Sequence, residues 1–207
     1  MNIGRRALAL LAAVSCTAAF AAEDEESPAW QFGITAYPTS VRGGRDYTSA
    51  IAVADRGQLH LETRFNYESI GARSAFVGWT FSGGDAVTWK LTPMLGGAWG
   101  DTRAFVPGFE TSIGWGRLDL YVEAEYVRSS VSRDDSYFYT WNELGYRPVE
   151  WFRFGISSQR TRAHGNGLDI QRGPFAQLTW GRVTIGGYWF NPGSNEQVFV
   201  GSINATF

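Results

Sequence analysis

Cysteine is almost missing. Cys16 is the single thiol among 207 residues and it lies in the apolar N-terminal stretch, so a mature chain without that stretch has no disulfide, no thiolate nucleophile and no cysteine metal ligand. Histidine is nearly as scarce, with His60 and His164 alone, and no spaced His/Asp set marks a Ca²⁺ or Zn²⁺ site. Charged residues make up 18% and the formal net charge is −2, which gives no reason to expect nucleic acid as a partner. After the first twenty or so positions no apolar run approaches the roughly 20 residues of a membrane-spanning helix. Glycine pairs fall in hairpin positions and not ahead of helices, so neither a phosphate-binding loop nor any other cofactor site is implied. What the chain does hold in quantity is 25 Gly, nine Trp and 15% aromatic residues, a composition suited to short strands with interfacial anchors.

Arg5 and Arg6 precede an apolar run from Ala7 to Val14, and Ala19-Phe20-Ala21 places small residues where a signal peptidase cuts. Residues 1 to about 21 are therefore expected to be a secretory signal, too short to span a bilayer. A rival reading takes Ala13-Val14-Ser15-Cys16 as a lipoprotein box with Cys16 acylated. The acidic residues that follow, through position 29, are expected to be a mobile lead-in, and residues 30–207 a single domain.

That domain alternates apolar and polar residues with period two, and no helical period intervenes. In the third strand Leu59, Leu61, Thr63, Phe65 and Tyr67 fall on one side, and His60, Glu62, Arg64 and Asn66 on the other. In the seventh, Leu118, Leu120, Val122, Ala124 and Tyr126 alternate with Asp119, Tyr121, Glu123 and Glu125. Pro93 removes a ladder donor from the fifth strand and is expected to mark a bulge. Trp-Gly-Arg recurs at Trp115 and Trp180, where a turn, an interfacial Trp and a solvent-seeking Arg are expected. About twelve strands are predicted, ten being the alternative count, with five tight turns on one side and six longer loops on the other. The longest loop is expected from Thr161 to Gln171.

The closing stretch places Phe199, Gly201, Ile203, Ala205 and Phe207 on one face and Ser202, Asn204 and Thr206 on the other. Ending on an aromatic residue, it resembles the last strand of a bacterial outer-membrane β-barrel. The resemblance covers the whole mature chain and is architectural. It implies an all-β, antiparallel, up-and-down transmembrane barrel in the outer membrane, contacting lipid and lipopolysaccharide, with Phe207 read by the barrel-assembly machinery. A mean hydropathy of −0.20 is compatible with this, because lipid-facing and lumen-facing residues average out.

Polar side chains are too costly against lipid, so the predicted lumen lining holds His60, Glu62, Arg64, Lys90, Glu110, Asp119, Glu123, Glu125, Glu143 and Arg153. Six carboxylates less three permanent cations leave the lumen at about −3 if all are ionised. Such a set is either a structural network paired across strands or a cation-favouring ion lining. Arg160, Arg162, His164 and Arg172 form a second set, expected at a solvated rim beside lipopolysaccharide phosphates, or as an extracellular anionic-ligand loop. The functional expectation is a non-enzymatic narrow pore for small polar solutes. A closed structural or surface-interaction barrel is the alternative, and a lipid-modifying enzyme the third reading. Catalysis of that last kind needs a Ser or water activated by His, and neither His60 beside Glu62 nor His164 has an evident nucleophile in sequence.

Overall fold

The computed structural model describes residues 28–163 and 168–207. The predicted signal, most of the lead-in and His164 lie outside the described residues.

The strands are β1 (Gln31–Val41), β2 (Tyr47–Arg56), β3 (Leu59–Phe65), β4 (Ala72–Trp79), β5 (Phe81–Gly83), β6 (Val87–Gly100), β7 (Ala104–Trp115), β8 (Leu118–Ser129), β9 (Tyr137–Val149), β10 (Phe152–Ala163), β11 (Leu168–Trp180), β12 (Val183–Phe190) and β13 (Val198–Thr206), and all pair antiparallel with their neighbours. β13 returns to β1 and β4 pairs with β6, so the sheet closes on itself. The first and last strands are further tied by the Phe207 N–H donating to Phe32 O at 2.9 Å and the Phe32 N–H to Phe207 O at 3.3 Å. β4 and β5 are one spanning strand in two pieces. Gly78 faces Met94 and Phe81 faces Leu91 in one unbroken register. The gap falls opposite Pro93, whose missing N–H interrupts the ladder. The fold is thus a closed twelve-stranded barrel, as the alternation predicts. The expected bulge at Pro93 is not there, because β6 keeps a constant register with β7 through Pro93 facing Phe109. The register shift lies between β9 and β10, at Phe152/Phe154.

Three tight turns share one chemistry. Gly57, Gly116 and Gly181 each take a φ near +60°, at +59°, +61° and +59°, which places glycine at the first central position of a two-residue hairpin loop. The Trp beside two of these turns is exposed, Trp115 at 65% and Trp180 at 91%. Five short connections lie at this end and six connections of up to seven residues at the other. The loop expected over 161–171 is mostly strand: β10 runs to Ala163 and β11 starts at Leu168. At the short-turn end the lead-in is pinned, since Arg56 Nε donates to Pro28 O at 3.1 Å and its guanidinium lies 5.7 Å from the Trp30 ring centre.

Outward positions are large and apolar around the whole circumference, with Ile34, Val77, Leu95, Ile156, Leu178, Ile185 and Ile203 all about half exposed or more. A soluble monomer rarely exposes more than a few hundred Å² of contiguous apolar surface. An unbroken apolar belt with aromatic residues at its edges is a surface matched to hydrocarbon.

Candidate functional site

The strand period carries His60, Glu62 and Arg64 of β3 into the lumen, each at most 5% exposed. Arg64 is the hub of a first charge cluster. Its Nη1 donates to Glu123 Oε1 and Glu125 Oε2, each at 2.9 Å, and its Nε donates to Glu62 Oε1. Its guanidinium is sandwiched between two rings, 4.6 Å from the Tyr67 centre and 4.5 Å from the Phe76 centre. Phe76 reaches this place because Gly96 has no side chain: a Cβ there would lie 2.2 Å from the ring. Glu110 faces Glu123 directly across β7 and β8. Tyr67 donates to Glu123 Oε2 at 2.9 Å, although strict alternation along the third strand puts Tyr67 on the lipid side. Asn66 takes a φ of +53°, which ends the strand and turns Tyr67 inward, while the Asn66 side chain bridges Thr48 O and the Gly71 N–H.

Arg153 organises a second cluster. Its Nη1 donates to Glu143 Oε2 at 2.5 Å and to Gln177 Oε1 at 2.9 Å, and its Nε donates to Asp119 Oδ1 at 2.9 Å. Glu143 Oε1 also accepts from Trp141 Nε1 at 2.9 Å and from the Tyr188 hydroxyl at 2.8 Å. Gly145 leaves room for the guanidinium, since a Cβ there would meet Arg153 Nε at 2.6 Å. Asn142, on the lipid side of β9 once Glu143 points inward, is satisfied locally by Thr140 Oγ1 and by Ser158.

Of the predicted lumen set, nine residues thus fall into these two clusters or beside them. Lys90 does not. It has the inward register of Thr92 but is exposed toward the short-turn end, and it makes no ion pair among the described residues. Glu143 faces Tyr121 across β8 and β9 and joins Arg153. Of the second predicted set, Arg160, Arg162 and Arg172 are exposed and face away from the lumen, in register with outward Ile156 and Ile170.

Sequence reasoning missed the apolar interior. Phe76, Met94, Ala98, Ala104, Val106 and Val127 form one buried group, and Trp141, Phe175, Tyr188, Phe190, Val198 and Val200 another. The first group and the Arg64 cluster fill the side of the lumen bounded by β3 to β8. The other side encloses a cavity of about 900 Å³, to whose wall β3, β4, β5 and β6 contribute nothing. Its wall includes Arg117, Arg147 and Arg153 near the short turns, Glu123 and Glu143 midway, and Tyr47, Glu68 and Asp169 toward the long loops. Six carboxylates and three arginines line it, so it carries an acidic excess of about three charges when all are ionised.

No protein-family model and no curated protein matches the chain. Among solved structures, the chain is similar to the KdgM porin in complex with disordered oligogalacturonate, with a TM-score of 0.63 at 8% identity, over 84% of this chain and 99% of that one. It is similar also to a structure titled KdgM porin, with a TM-score of 0.59 at 9% identity and the same coverage of the two chains. At such identity the likeness is one of fold: the closed barrel of this chain is similar in overall architecture to those porins.

Proposed function

We propose that the protein is an outer-membrane channel for small polar solutes. The observation that carries this reading is the cavity of about 900 Å³, whose wall runs from residues at the short turns to residues at the long loops. The apolar belt supports a membrane location, and the fold shared with porins supports the outer membrane. On this reading residues 1 to about 21 export the chain, the strand ending at Phe207 is read by the assembly machinery, and outward Arg160, Arg162 and Arg172 sit level with lipopolysaccharide phosphates. The porin compared above was solved with an acidic oligosaccharide. An acidic wall repels such a solute, so the proposed preference is for cations and for neutral polar molecules.

Bilayer recordings in a salt gradient test this. The reversal potential should report cation preference, and the Glu68→Gln/Asp169→Asn pair should reduce it, since these two wall acids are bound to no arginine among the described residues. Anion preference would refute the lining argument. Silence in the bilayer would favour the closed structural barrel, a reading supported by the filled half of the lumen.

A further inference from the structure

Near the short-turn mouth, outside the cavity wall, His60, Glu62 and Glu110 offer one ligand atom each, all within 4.8 Å of one another. An acidic cluster is not a site in itself, but His60 supplies a second observation. The residue is 5% exposed, and its Nε2 is buried without a hydrogen-bond partner. That nitrogen is aimed at Glu62 Oε2, 3.4 Å away. We propose that His60, Glu62 and Glu110 bind one divalent transition-metal cation of zinc's chemistry. Zn²⁺ holds imidazole nitrogen and carboxylate oxygen at about 2.0–2.2 Å in a tetrahedron, which sets neighbouring ligand atoms about 3.4 Å apart by the same geometry. The His60–Glu62 pair already has that span, and rotation of the Glu110 side chain, which makes no hydrogen bond among the described residues, closes the other two edges.

The surroundings orient each ligand. Asp55 Oδ1 lies 2.7 Å from His60 Nδ1, so it can hold the Nδ1–H tautomer and leave the Nε2 lone pair for the metal, the carboxylate–histidine–metal relay of many metal sites. Arg64 occupies Glu62 Oε1 and leaves Oε2 turned toward His60. Charge points the same way. Among the described residues Arg64 is the one permanent cation bonded to Glu62, Glu123 and Glu125, and Glu110 faces Glu123 beside them, so a divalent ion offsets the carboxylate excess there. The Asp55 side chain is 30% exposed, which marks the way in from solvent. His60 and Glu62 lie two apart on one strand face, but Glu110 comes from β7, and no spacing in sequence announces that meeting.

The test uses the refolded full barrel in detergent, without an affinity tag and stripped with chelator. Titration with ZnCl₂ should show one tight site per chain, and Co²⁺ should give visible ligand-field bands of tetrahedral intensity. His60→Ala and Glu110→Gln should abolish both signals. Asp55→Asn should weaken binding roughly 10–100-fold, as loss of an orienting carboxylate does elsewhere. Glu143→Gln, in the other cluster, should leave both metal signals in place. Glu110→Gln removes a crowded charge and needs no repacking, so it remains informative if His60→Ala fails to fold. Absence of Zn²⁺ heat and Co²⁺ bands in the wild type would overturn the site and leave a hydrogen-bonded imidazole. Binding that survives both ligand variants would overturn it equally, as adventitious metal. Neither readout depends on conduction, so failure here is distinct from failure of the channel proposal.

Discussion

Replacing Arg64 by Met exposes the energetics of the lumen most directly. Methionine keeps much of the stem volume and much of the packing between the Tyr67 and Phe76 rings, but it removes the charge bonded to Glu62, Glu123 and Glu125. Removing one partner of a buried ion pair costs about 3–5 kcal/mol, because the remaining charge stays buried without compensation. Here three carboxylates are left, so the upper part of that range is expected. Folded domains are commonly stable by about 5–15 kcal/mol, so the variant should lose a third or more of its stability. Adding Glu62→Gln, Glu123→Gln and Glu125→Gln to Arg64→Met removes the stranded charges, and the quadruple variant should be more stable than Arg64→Met alone. The assay is urea unfolding of the barrel in lipid vesicles followed by tryptophan fluorescence, with wild type, Arg64→Met, the triple Glu→Gln variant and the quadruple variant arranged as a thermodynamic cycle. An Arg64→Met midpoint equal to wild type, or costs that simply add, would refute the claim that Arg64 is electrostatically bound to these acids.

Four further outcomes are expected. The Glu123→Gln/Glu125→Gln double variant should chiefly lower stability and move ion selectivity less than Glu68→Gln/Asp169→Asn does; unfolding and reversal-potential measurements on the two pairs decide this. Gly145→Ala should cost about 1–3 kcal/mol by pushing the Arg153 guanidinium off Asp119, and unchanged urea unfolding would contradict that packing. Deleting Phe207 removes two backbone hydrogen bonds to Phe32 and should reduce the heat-modifiable folded band on gels; an equal folded yield would count against a closing role. A cysteine at Asp135, among the long loops, should react with an impermeant maleimide on intact cells while one at Ala86, in a short turn, should not, and the reverse pattern would invert the topology.

Much of this barrel could be read from residue alternation, and the exceptions have local causes. Leu59 to Phe65 and Leu118 to Tyr126 keep period two without interruption, so the inward placement of Glu62, Arg64, Glu123 and Glu125 follows from sequence. Tyr67 escapes that reading because the left-handed Asn66 reverses its side. Which acids meet Arg64 depends on the stagger between strands, and nothing in the alternation of one strand encodes the offset to another. Glu143 shows this: its inward side follows from alternation, and its pairing with Arg153 does not. The apolar filling was hidden because Phe76, Met94, Val106 and Val127 sit at inward positions of strands whose outward faces are equally apolar. Alternation is silent where both faces are hydrophobic.

The two arginine hubs are each built from one continuous portion of the chain. The Arg64 cluster, with Asp55, His60 and Glu110 beside it, uses residues between Asp55 and Glu125, and the Arg153 cluster uses residues between Asp119 and Tyr188. Neither draws a side chain from β1 or β13, the pair that seals the wall. The buried charges can therefore be paired within stretches of chain that exclude the seam, once the sheet has curled far enough to bring Arg64 of β3 over Glu123 and Glu125 of β8. The last step, joining first strand to last, then zips backbone to backbone and moves no unpaired ion out of water. A barrel whose hubs bridged the seam would have to desolvate its charges and find its long-range register in the same event, which is the slower order of assembly.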